Sequence, residues 1–140
     1  MQNMDYIIPK ISRYIRIVTE GTNKRLSPLG IYNGQWALII ALKEVGSATQ
    51  SELVQYLSIE APTLTRMLNR LEELGFVYRT ADLDRRVKVV SLTEEAKAKF
   101  HLWDNEIVEY RKQLFKGFSN SDIVQLHQIF DKLIKNSQVE

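Results

Sequence analysis

Between Thr49 and Leu92 the spacing of apolar residues changes once, and that change restricts the fold more than any other feature of the chain. Thr49 and Glu52 stand in the capping-box relation ahead of a short helical run carrying Leu53, Tyr56 and Leu57. After the connection SIEAP, Leu64, Met67, Leu68, Leu71 and Leu74 recur at helical spacing until Gly75 stops them. The pattern then becomes alternating and β-branched. FVYRT and VKVVSL flank the polar tip ADLDRR, which predicts a two-stranded hairpin with an exposed tip. Two short helices on a tight link, followed by a hairpin, make a winged helix-turn-helix pattern. A hairpin of this size is marginal alone, so it must lean on the helices before it.

The flanks read as helix. Ile7, Ile11, Tyr14, Ile15 and Val18 define one face of an N-terminal helix in which Pro9 fits only the first turn. Pro28 and Gly30 break it, and Asn33 is the expected N-cap of GQWALIIALKEV, a central helix apolar nearly all round. Beyond the hairpin, Thr93 with Glu94 and Glu95 opens a helix expected to run from Glu94 to Phe118. Its apolar residues Ala96, Phe100, Trp103, Ile107, Tyr110 and Leu114 alternate steps of four and three. Ser119 and Asp122 cap a last helix with Ile123, Leu126, Phe130 and Leu133 on one side. The expected fold class is mainly α with a small β-hairpin wing, in the order four helices, hairpin, two helices.

Composition removes several classes of function. At 140 residues with 44% hydrophobic residues, the chain suits a single domain, residues 1–140. No apolar run approaches the ~20 residues of a membrane span, and the N-terminus lacks the order of a secretory signal, so a cytoplasmic protein is expected. The absence of cysteine excludes disulfides, thiolate zinc sites and thiol chemistry. His101 and His127 show no paired metal-ligand spacing, so neither a metal nor a cofactor is expected. No nucleophile elbow or glycine-rich phosphate loop is present, which argues against an enzyme. A net charge of +2 announces no polyanion partner by itself; the placement of the basic residues has to carry that argument.

Residues 51–98, and above all TRMLNRLEELGFVYR, DRR and SLTEEA, resemble the DNA-binding core of the MarR family of bacterial transcription regulators. The outer helices fit the same family, so the resemblance spans essentially the whole chain. It implies a DNA-binding lobe at residues 33–92 and a helical dimerisation region at 5–27 and 93–138. Pro62, in the first turn of the second helix of the pair, departs from the small polar residue expected there and removes one backbone donor.

If Leu64, Leu68 and Leu71 face the core, the opposite face of that helix carries Pro62, Thr65, Arg66, Asn69 and Glu73, with Thr63 and Arg70 at its margins. Its N-terminal half suits a major groove, with Arg66 and Asn69 as base readers, since Arg bonds guanine and Asn bonds adenine in bidentate fashion. Any surface helix must show water a polar face, so the hairpin that follows decides between the two readings. Its tip is narrow enough for a minor groove, with Arg86 inserting and Arg85 and Lys88 on phosphates. The competing reading is a charged edge that resists strand pairing. The family resemblance implies that Asp84 braces Arg86, as the Asp-x-Arg pair of its wing.

A helix of 25 residues would be roughly 35 to 40 Å long, more than a small lobe covers. With apolar stripes on Ile7, Ile11, Phe130, Leu133 and Ile134, this points to a homodimer on a pseudo-palindromic operator, against a core closed within one chain. The resemblance also implies a repressor released by a small aromatic effector, for which Tyr14, Tyr32, Trp36, His101 and Trp103 are candidates against simple core packing. The alternative function is a winged helix that contacts proteins and binds no DNA.

Overall fold

The structure, a computed structural model, describes residues 2–81 and 87–138. The chain forms two compact units, Met1–Ile107 and Val108–Glu140. In the first, a helical turn α1 (Gln2–Asp5) precedes α2 (Ile7–Leu26), a 3-10 turn (Ser27–Leu29) and α3 (Asn33–Val45). Strand β1 (Ser47–Thr49), α4 (Gln50–Leu57), α5 (Ala61–Glu73), β2 (Val77–Ala81) and β3 (Lys88–Leu92) follow, and then α6 (Glu94–Leu114) begins.

Helix α3 is central, as its all-round apolar pattern predicts: Trp36, Leu38, Ile39, Ala41 and Leu42 are buried. Its N-cap is Tyr32, one residue before the expected Asn33. The main-chain N–H of Tyr32 donates to Gln35 Oε1 at 2.9 Å and that of Asn33 to Asn23 Oδ1 at 2.8 Å, so side chains from α3 and from α2 satisfy this end. Leu53 of α4 and Leu64, Leu68 and Leu71 of α5 complete the core, and complete burial of a leucine contributes about 1.5 to 3 kcal/mol. Helix α5 ends as read: Gly75 takes φ +82, a left-handed conformation costly for other residues, and the Phe76 N–H returns to Leu71 O at 2.9 Å.

The expected two-stranded hairpin is part of a three-stranded antiparallel sheet in the order β1-β3-β2. Strand β1 pairs Ala48 with Val90, and β2 pairs Arg79 with Val90 from the other side. SAT is too short to show an alternation and neither Ser nor Ala favours a strand; β1 exists because β3 offers it a ladder. Thr93 fastens the sheet to α6. Its N–H donates to Phe76 O (3.0 Å), its hydroxyl donates to Gly75 O (2.6 Å), and the same oxygen accepts from the Ala96 N–H (3.1 Å).

In α6, Ala96, Trp103 and Tyr110 are buried and Phe100, Ile107 and Leu114 half-buried, so the alternating stripe is real. The helix stops at Leu114 rather than Phe118. A turn with Gly117 at φ +87 intervenes, which shortens α6 to about 32 Å. In the second unit, Phe115 and Phe118 meet edge to face at 5.6 Å. Helix α7 (Asn120–Ser137) begins with the expected reciprocal cap, Ser119 N–H to Asp122 Oδ2 at 2.9 Å and Asp122 N–H to Ser119 Oγ at 3.1 Å.

Candidate nucleic-acid interface

Helices α4 and α5 form the helix-turn-helix. Thr49 and Glu52 set the start of α4: Thr49 N–H donates to Glu52 Oε1 at 2.9 Å and Glu52 N–H to Thr49 Oγ1 at 3.1 Å. The backbone hydrogen bond from Thr49, followed by the one to its side chain, holds the Glu52 carboxyl below its ordinary pKa. Ser58 makes the tight link possible by adopting φ +52, after which Glu60 in extended conformation starts α5. Pro62 lies in the first turn of α5, where a missing N–H costs nothing within the helix.

With Leu64, Leu68 and Leu71 fully buried, the opposite side of α5 is turned outward, and Pro62, Arg66, Asn69 and Arg70 are exposed while Thr63 and Thr65 are half-exposed. Arg66 Nη2 donates to Thr63 Oγ1 at 3.3 Å. Arg70 pairs with Glu73 at 3.3 Å; both side chains are more than half exposed, so the pair adds little stability but offsets the carboxylate's repulsion of a phosphate. Lys88 is exposed at the start of β3, paired with Ala81. The wing residues Asp84, Arg85 and Arg86 lie outside the described residues.

Two residues of this surface were not singled out from the sequence. Gln50, the first residue of α4, donates from Nε2 to Thr65 Oγ1 at 2.6 Å. Arg79 of β2 donates from Nη2 to Asn69 Oδ1 at 3.0 Å, with Nη1 3.8 Å from Glu72 Oε1. Its Nε is buried with no hydrogen-bond partner among the described residues. The signal for Arg79 was in the sequence: strand alternation places it on the same side as the buried Val77, an unusual position for an arginine.

The proposed effector residues separate. Trp36 stacks on Phe100 at 5.3 Å, and Trp103 meets Phe76 edge to face at 5.0 Å while donating from Nε1 to Leu29 O at 3.2 Å. Both indoles are buried core residues, consistent with a packing role. Tyr14, Tyr32 and His101 are exposed, and His101 Nδ1 lies 3.0 Å from Ala98 O.

Comparison with known proteins agrees with this geometry. Residues 31–88 match the model of the MarR family. The chain is 34% identical over 125 residues to YwoH, an HTH-type transcriptional regulator of Bacillus subtilis (strain 168), covering 89% of this chain and 91% of that protein. A MarR transcriptional regulator from Methanosarcina mazei Go1 superposes with a TM-score of 0.84 at 27% identity, covering 95% of this chain and 96% of that one. A mutant MarR from E. coli complexed with operator DNA superposes with a TM-score of 0.78 at 26% identity, over 91% and 96% of the two chains. With the helix-turn-helix, the sheet behind it and the flanking helices all in place, the chain belongs to the MarR family of DNA-binding transcription regulators.

Proposed function

We propose that this regulator acts as a homodimeric repressor that reads a pseudo-palindromic operator and is released by a small aromatic ligand. The observation that carries the DNA-binding geometry is the outward face of α5, anchored by three fully buried leucines and bearing Arg66 and Asn69 beside a sheet whose β3 starts with Lys88. Within the lobe at 33–92, Pro62, Thr63, Thr65, Arg66, Asn69 and Arg70 meet the major groove. Asp84, Arg85, Arg86 and Lys88 form the wing contact, with Arg86 in the minor groove.

The helical regions 5–27 and 93–138 supply the dimer contact. Ile7, Ile8, Tyr14, Ile15 and Ile17 of α2 are exposed, as are Val124, Ile129, Phe130, Leu133 and Ile134 of α7, and apolar side chains of this kind suit burial against a second chain. Tyr14, Tyr32 and His101 are the exposed side chains among the five ligand candidates, and Trp36 and Trp103 are buried.

A salt titration of binding to random duplex DNA tests the reading. A log-log slope of several units is expected from the phosphate contacts of the basic side chains. No measurable binding at low salt would instead favour a winged helix that contacts only proteins.

A further inference from the structure

Three hydrogen-bond acceptors on α5 are occupied before any DNA arrives. Thr65 Oγ1 accepts from Gln50 at 2.6 Å, Thr63 Oγ1 from Arg66 at 3.3 Å, and Asn69 Oδ1 from Arg79 at 3.0 Å. The last contact also fixes which way the Asn69 amide faces. A guanidinium only donates, so the amide oxygen must face Arg79 and Nδ2 must face away from it. Among the described residues Nδ2 has no partner. Arg79 is itself restrained: its side chain is 24% exposed, Glu72 holds its other terminal nitrogen, and the main chain beneath it sits in the sheet opposite Val90.

We propose that Arg79 is a positioning residue for base selection. By turning Oδ1 of Asn69 toward itself, it leaves Nδ2 as the group offered to DNA. The base beneath Asn69 is then chosen for its acceptors, guanine N7 and O6 or thymine O4. Adenine is disfavoured, because its major-groove edge sets the N6 donor beside the N7 acceptor, and bidentate capture of that pair requires Oδ1 and Nδ2 to face the base together, whereas Oδ1 is turned toward Arg79. The inference rests on the reading of α5 as the helix that contacts bases.

The test is selection of bound duplexes from a random-sequence pool by the full-length protein and by its Asn69→Ala, Arg79→Met and Arg66→Ala variants, followed by sequencing. At the position whose preference disappears in Asn69→Ala, the parent should favour guanine or thymine over adenine by about tenfold. Arg79→Met should admit adenine there and leave the other positions as they were. An adenine preference in the parent at that position overturns the proposal, and this result needs no Arg79 variant to fold. An unchanged preference in folded Arg79→Met overturns it too, with the base contacts of α5 intact. If Asn69→Ala alters no position while Arg66→Ala does, Asn69 reads no base and the proposal alone falls. If neither alters any position, the reading of α5 falls with it.

Discussion

Gln50 and Thr65, fifteen residues apart, are joined at 2.6 Å by the amide nitrogen of one and the hydroxyl oxygen of the other, and this bond ties the first turn of α4 to α5. The Thr65 hydroxyl passes the polarity on by donating to Ala61 O at 3.0 Å. A double-mutant cycle of Gln50→Leu and Thr65→Val in chemical denaturation should therefore give a coupling of about 0.5 to 1.5 kcal/mol. Operator affinity should fall several-fold in Gln50→Leu, because α5 loses a restraint on its tilt, and in Thr65→Val, which also removes a groove-facing hydroxyl. Strictly additive effects would show the bond to be idle.

Substitutions in the proposed wing contact should separate function from stability most sharply. Arg86→Ala should weaken operator binding at least tenfold, about 1.4 kcal/mol, while the thermal midpoint stays nearly constant. Arg85→Ala should weaken binding to all sequences evenly and flatten the salt dependence, as loss of a phosphate contact does. Arg66→Ala should erode discrimination among operator variants by about 1 to 3 kcal/mol at one position. Gel-shift titrations on operator and substituted duplexes read all three. A folded, dimeric Arg86→Ala that binds as tightly as the parent removes the wing from the interface.

The exposed apolar faces of α2 and α7 should bring two chains together. Sedimentation equilibrium at micromolar concentration is expected to give twice the chain mass of 16.3 kDa. Ile15→Glu or Leu133→Glu, each placing a charge on one of those faces, should shift the equilibrium toward monomer. A monomer mass for the parent at that concentration refutes the dimer.

Tyr56 donates its hydroxyl to Glu44 Oε2 at 2.7 Å, and that hydrogen bond, reinforced by the carboxylate's charge, raises the phenol pKa above its ordinary value. A raised folded-state pKa means that the contribution to stability is complete below about pH 10, the unfolded value, and is lost as pH rises through the folded one. Any advantage in thermal midpoint of the parent over Tyr56→Phe at neutral pH should thus disappear on the alkaline side. An advantage that persists unchanged at the highest pH would mean the hydroxyl contributes in some other way.

Local chemistry made most of this architecture legible. The caps at Thr49, Thr93 and Ser119, the leucine stripe of α5 and the terminator Gly75 are each written within a few adjacent residues, and the structure has all of them. What escaped depends on partners distant in sequence. Strand β1 forms because β3 lies beside it, and Arg79 reaches Asn69 only once the sheet has folded against α5. The end of α6 was misplaced by four residues because Phe115 and Phe118 prolong the apolar pattern into a turn that Gly117 closes. The two tryptophans are buried, and residue type alone does not distinguish a packing role from a place in a ligand site.

Through one main-chain nitrogen and one hydroxyl, Thr93 connects the turn between α5 and β2, at Gly75 and Phe76, to the start of α6. Such a junction should affect how this part of the chain opens as well as how firmly it is closed. With the hydroxyl bonded to Gly75 O and to the Ala96 amide together, freeing the first turn of α6 should weaken the bond at Gly75 and loosen the chain that enters the sheet. Amide protons at Ala96 and on β2 should therefore exchange with solvent through a shared opening event. Valine at 93 would preserve the shape and remove the hydroxyl, allowing the α6 end to fray on its own timescale while the sheet remains protected. The start of α6 and the turn that enters the sheet are thus expected to be released together, through one side-chain oxygen.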